Sequence, residues 1–92
     1  MQFISVIGSG TMGNGIAHVF AQHGYQVSLI DISSTQLEKA LATISKNMDR
    51  QVSKGAITEA EKQEALSRIK LLTSIEEGVK KADLVVEAAT EN

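Results

Sequence analysis

Ninety-two residues with a net charge of −2 bound this chain to one small domain. The near-neutral balance offers no basic field for nucleic acid or an anionic membrane surface, and no apolar run reaches membrane-spanning length. The absence of cysteine excludes a disulfide framework, a thiol nucleophile and a Cys-ligated metal site.

The first residues run directly into an apolar segment, without the basic region and long apolar core of a signal peptide, which fits a cytoplasmic protein. Phe3-Ile4-Ser5-Val6-Ile7 is short and mostly apolar, the pattern of a strand buried on both sheet faces. Residues 11–23 read as a helix with a broad apolar side of Met12, Ile16, Ala17, Val19 and Phe20, stopped by Gly24. Residues 25–30 read as a second strand, ended by Asp31. Ser33 to Gln36, and Thr35 to Glu38, are capping-box spacings. Leu37, Leu41, Ile44, Met48 and Val52 then recur at helical period, so a long helix is expected to about Lys54, closed by Gly55. Thr58 to Glu61 opens a second, charged helix through about Arg68, with Ala65, Leu66 and Ile69 on one side. Together these two helices predict a hairpin over about 33–69, standing partly away from the sheet. A brief strand at 70–73, a helical turn capped by Ser74 and a last strand at 83–88 complete the chain.

This order predicts an α/β fold with a parallel sheet, and right-handed crossovers give the strand order 3-2-1-4. A full doubly wound domain would continue with a helix and further strands. The expectation over 1–92 is therefore an incomplete Rossmann-type nucleotide-binding domain, with its fourth strand an apolar, uncovered edge.

The chemistry concentrates in Gly8-Ser9-Gly10-Thr11-Met12-Gly13, a GxGxxG placed between a strand and a helix. Gly8 permits the tight turn, Gly10 lets backbone approach a pyrophosphate, and Gly13 lets helix and strand pack closely. The helix start offers free N–H groups and a partial positive charge, with Thr11 and Met12 placed to supply amides. A bare GxGxxG could be only a sharp turn, but here an acid stands at the distance the fingerprint requires. Asp31 is expected to accept from the adenosine ribose hydroxyls and to repel a 2′-phosphate. No Arg follows in Ile32-Ser33-Ser34, so the cofactor expected is NAD rather than NADP. The blander alternative is that Asp31 only caps the next helix.

Other candidates read as structural. His18 and His23 have no carboxylate partner in sequence and are expected on the surface. Gly15 reads as a packing position, and Ser5, Ser9 and Ser28 show no nucleophile context. Lys39, Lys46, Arg50, Lys54, Lys62 and Arg68 alternate with acids, as on a solvated helix face. No catalytic and no metal-ligating residue is assigned.

The segment from Val6 to Ala17, containing Gly10-Thr11-Met12-Gly13-Asn14-Gly15-Ile16-Ala17, resembles the start of the 3-hydroxyacyl-CoA dehydrogenases, including bacterial 3-hydroxybutyryl-CoA dehydrogenases. The resemblance continues through Gly24-Tyr25-Gln26-Val27, Asp31, Asn47-Met48-Asp49-Arg50, Lys54-Gly55 and Ala82-Asp83-Leu84-Val85-Val86-Glu87-Ala88 to Glu91-Asn92. It implies that Gly8, Gly10 and Gly13 hold the NAD pyrophosphate, lined by Thr11 and Met12, and that Asp31 binds the adenine-side ribose. It further implies that Ala88 and Glu87 border the cofactor and that Glu91 stands near its nicotinamide end. Ala89-Thr90 replaces the family's more usual apolar pair. The family's hairpin helps receive the acyl-CoA, whereas its catalytic His–Glu pair and helical dimerisation domain match nothing up to Asn92. The implied function is the NAD-binding portion of an enzyme oxidising 3-hydroxyacyl-CoA, not catalytic as this chain alone, with acyl-CoA a partner only once the remainder is supplied. A self-assembling, non-enzymatic fragment, dimeric through the fourth strand, is the alternative. A different GxGxxG enzyme, such as an FAD-dependent one, fits the segment from Gly10 to Ala17 and the hairpin less well.

Overall fold

A computed structural model describes residues 2–88. The elements in chain order are β1 (Phe3–Ile7), α1 (Thr11–Gln22), β2 (Gln26–Ile30), α2 (Ser34–Ser53), α3 (Glu59–Ser67), β3 (Ile69–Leu72), α4 (Ile75–Val79) and β4 (Leu84–Glu87). All strand pairs are parallel, and the sheet runs β3-β2-β1-β4, the order expected from the sequence.

The register sorts the side chains into two faces. Ile69, Val27, Ile4 and Leu84 form one row across the sheet, and Leu71, Leu29, Val6 and Val86 the next on the same side. The inner members of these rows pack with Ala17 and Ala21 of α1, Leu37, Ala40, Ile44 and Met48 of α2, and Ala65 of α3. The opposite face carries the row Lys70, Ser28, Ser5 and Val85. There α4 lies close, with the Ser5 hydroxyl donating to the Gly78 carbonyl. Coverage of that face is partial: Phe3 is 43% and Val85 45% exposed, so the expected burial of β1 on both faces holds for its middle only.

The helices are stopped and started largely by the residues that the sequence marks. Ser33, Thr58 and Ser74 each accept from the backbone N–H three residues on, and Thr58–Glu61 completes a reciprocal capping box. Gly24 and Gly55 take positive φ beyond α1 and α2.

Three expectations need correction. In α1 the face turned inward is Gly13, Ala17 and Ala21, while Met12 and Val19 are exposed. Small residues four apart let the helix axis approach the sheet, and this outweighs the larger apolar side chains. In α2 Ala40 joins the buried stripe, whereas Leu41 and Val52 are only half-buried. The hairpin does not stand off from the rest, because α2 packs on α1 and β3 and supplies four residues to the core.

Candidate functional site

The site lies at the carboxyl ends of β1, β2 and β4, where the chain leaves β1 for α1. Gly8 turns out of the strand with φ +102, a conformation that L side chains rarely adopt. Its N–H donates to the Ile30 carbonyl at 2.7 Å, so the turn is fastened to the end of β2. Ala88, just past β4, donates its N–H to the Ile7 carbonyl at 2.8 Å and so borders the same turn from the other side.

The two other fingerprint glycines do different work. A Cβ on Gly13 would stand 1.7 Å from the Gly8 carbonyl oxygen, so the protein itself has no room for one. A Cβ on Gly10 would meet nothing within 4 Å. Its φ is −67, so neither strain nor packing demands glycine there. Open space above a glycine at a helix start is what a cradle for an approaching phosphate provides.

Helix α1 begins at Gly10 with no side-chain cap, unlike the three other helices described. Its first-turn amides, with Thr11 and Met12 both exposed, are therefore left to an outside acceptor. A dinucleotide's pyrophosphate matches this set of backbone donors. Among the described residues no group of His, Cys, Asp or Glu could hold a metal ion.

Asp31 stands directly after β2, across from the turn. Its Oδ2 accepts from the Ser9 N–H at 3.0 Å and the Ser9 hydroxyl at 2.8 Å. Its Oδ1 accepts from the Ser33 N–H at 3.1 Å. Burial alone would push the carboxyl's pKa up. The donors from Ser33, from Ser9 twice and from Ile32 outweigh it and hold the group below its ordinary value. The result is a fixed carboxylate beside a cluster of backbone donors. The alternative that Asp31 caps α2 does not hold, since Ser33 is the cap.

Gly8, Gly10, Thr11, Met12, Gly13, Asp31 and Ala88 thus converge at one end of the sheet, and Glu91 lies outside the described residues. Ser9 is the residue that sequence reasoning passed over. Its side chain is buried and joins turn to acid, a contact across 22 positions that no local pattern announces.

The remaining polar candidates fall elsewhere. His18 is half-buried rather than a surface residue, with Nε2 3.0 Å from Gln51 Oε1 between α1 and α2. His23 is exposed at the end of α1, its Nδ1 2.8 Å from the Val19 carbonyl oxygen. Lys62 departs from the solvated face expected of it: it is buried and paired with Asp49, whose hydrogen bond raises its pKa.

Comparison with known proteins agrees with this geometry. Residues 3–92 match the family model described as 3-hydroxyacyl-CoA dehydrogenase, NAD binding domain. A 3-hydroxybutyryl-CoA dehydrogenase of Bradyrhizobium diazoefficiens is 48% identical over 88 residues, covering 96% of this chain and 30% of the relative. A 3-hydroxyadipyl-CoA dehydrogenase of Escherichia coli is 44% identical over 91 residues, covering 99% of this chain and 19% of the relative. The crystal structure of an (S)-3-hydroxybutyryl-CoA dehydrogenase from Ralstonia eutropha superposes with a TM-score of 0.95 at 44% identity. That match takes in 100% of this chain and 32% of the other. The chain therefore spans a third or less of the length of these relatives. It belongs to the 3-hydroxyacyl-CoA dehydrogenase family and corresponds to that family's NAD-binding domain.

Proposed function

We propose that this chain is the NAD-binding portion of an NAD-dependent 3-hydroxyacyl-CoA dehydrogenase, serving oxidation of 3-hydroxyacyl-CoA to 3-oxoacyl-CoA in fatty acid or butanoate metabolism. The observation that carries the reading is the pairing of an uncapped helix start behind Gly8, Gly10 and Gly13 with a carboxylate held ready at Asp31. NAD, when bound, supplies the hydride acceptor. The amides of Thr11 and Met12, with the open backbone at Gly10, hold the pyrophosphate. Asp31 accepts from the adenine-side ribose, and its negative charge disfavours a 2′-phosphate there. Ala88 borders the bound cofactor, and Glu91 stands towards the nicotinamide end.

Proton abstraction from the 3-hydroxyl needs a base, and neither histidine is in place for it. His18 is engaged with Gln51, and His23 with the end of its own helix. The role read for these residues is therefore to bind and orient NAD, and no general base is assigned among the described residues. The setting that suits this metabolism is the cytoplasm, and no helix among the described residues is long and apolar enough to cross a membrane. Equilibrium binding of NAD, paired with an assay on 3-hydroxybutyryl-CoA, tests the reading. Binding without turnover is expected, and turnover by this chain alone would overturn this reading of the histidines.

A second reading is favoured by one observation: β4 is an edge strand whose Leu84 and Val85 are 36% and 45% exposed. Pairing of two copies along this edge would make a homodimer without enzymatic activity. Light scattering at micromolar concentration separates the two, since a stable monomer contradicts assembly.

A further inference from the structure

Ser9 makes two hydrogen bonds to one oxygen of Asp31, through its backbone N–H at 3.0 Å and its hydroxyl at 2.8 Å. The residue is 4% exposed, so water does not compete for the hydroxyl. It lies between Gly8 and Gly10, inside the turn that carries the phosphate cradle. Asp31 belongs to the other half of the site, at the end of the neighbouring strand. Ser33 holds the second carboxylate oxygen from the start of α2 at 3.1 Å.

The backbone donors are fixed by the fold, because Gly8 N–H is fastened to Ile30 and Ser33 caps α2. Among the described residues the hydroxyl is the one side-chain donor to this carboxylate, and it differs from the backbone donors in kind. A hydroxyl rotates about its C–O bond and can both donate and accept. It can hold the carboxylate before a ligand arrives, then turn as a sugar hydroxyl takes up the same oxygen. We infer that Ser9 is a positioning residue for nucleotide binding, its hydroxyl coupling the ribose acceptor Asp31 to the phosphate-binding turn. The inference rests on the reading of Asp31 as that acceptor.

Its physical content is preorganisation. An aspartate swings freely about two side-chain torsions, and each must be fixed before a diol can bind in register with a pyrophosphate. With the Ser9 and Ser33 N–H groups, the Ser9 hydroxyl removes that freedom ahead of binding and ties the acceptor to the same turn that receives the phosphates.

The test is a mutant cycle on the whole chain, with NAD and ADP-ribose titrated by calorimetry. Ser9→Ala deletes the hydroxyl while keeping the N–H. Ser9→Cys places a slightly larger and weaker donor at the same position, and serves if the alanine variant does not fold. Ser9→Ala is expected to weaken both ligands about three- to tenfold, the range for one charge-assisted hydrogen bond partly compensated elsewhere. Ser9→Cys falls between. In an Asp31→Ala background the Ser9 substitutions have no further effect. Carbon-detected titration of the Asp31 carboxyl should show its pKa rising in Ser9→Ala, which reads the hydroxyl's bond in solution, while dependence of the Ser9 effect on Asp31 is what a merely structural role would not show. Asp31→Ala weakened but Ser9→Ala and Ser9→Cys unchanged would overturn the inference alone. Asp31→Ala binding as tightly as wild type, or no binding by the folded wild type, would remove the reading beneath it.

Discussion

Gly13 lies so close to Gly8 that a Cβ on the former would stand 1.7 Å from the carbonyl oxygen of the latter. The obstacle is backbone, which cannot swing aside, so the start of α1 and the end of β1 would have to separate. Gly13→Ala should cost about 3 kcal/mol, the upper range for overpacking a well-filled interior. Urea unfolding measures it. Gly10→Ala should cost about 1 kcal/mol or less, the preference for glycine over alanine at a helix N-cap, because the new methyl meets no protein atom. The contrast separates a glycine kept for packing from one whose requirement comes from a ligand, so Gly10→Ala should weaken NAD binding without unfolding the chain.

Gly15 supplies an opposite expectation. It sits inside α1, exposed, with no positive φ, and a methyl added there would meet nothing within 4 Å. Gly15→Ala should stabilise the chain by about 0.5–1 kcal/mol through helix propensity and a less flexible unfolded state. A destabilisation in urea unfolding would mean that this helix face is held against something else.

Behind the sheet, Gly78 presses on Ile30. A Cβ there would lie 2.2 Å from Ile30 Cδ1 and 2.7 Å from Cγ1. Gly78→Ala should destabilise by about 1–3 kcal/mol. Ile30→Val removes the nearer carbon, so the double variant should be more stable than the sum of the two single losses predicts. Simple additivity would show that α4 shifts bodily instead.

Two carboxylates set an acid limit. Asp83 accepts from the backbone N–H groups of Gln2 and Phe3, and these bonds lower its pKa. Asp31 is lowered as well, the upward push of burial being outweighed by its hydrogen bonds. A group whose pKa is lower folded than unfolded stabilises the fold above its unfolded value and loses that contribution as pH falls through the folded value. Stability should therefore hold from neutrality down to about pH 4, the ordinary carboxylate range, and decline below it. Asp83→Asn should flatten the decline, because the amide oxygen still accepts from Gln2 and Phe3 but does not titrate. Thermal melts across this range check both points, and an unchanged slope in the variant would contradict the role of Asp83.

Much of this was legible in the sequence because its causes are local. A turn glycine, a Ser or Thr cap and an apolar run act within a few residues, and strand order follows from element order and handedness. What escaped depends on tertiary distance. The Ser9 hydroxyl reads as a bystander until Asp31 is folded against it. Lys62 reads as a solvated charge until α2 brings Asp49 alongside. Met12 and Ala21 exchange roles because close approach of α1 to the sheet rewards small side chains over large ones. The turn and the start of α1 lie where the glycine spacing puts them, because the positive φ of Gly8 and the helix start behind Gly10 are set locally.

Asp31 and the glycine turn together are proposed as a nucleotide half-site. Calorimetric titration of the wild type and Asp31→Ala with NAD and ADP-ribose tests it most directly. Similar, weak binding of both ligands by the wild type is expected, because adenosine and pyrophosphate contacts dominate, with both markedly weakened in the variant. No binding by the folded wild type, or equal binding by Asp31→Ala, would contradict it.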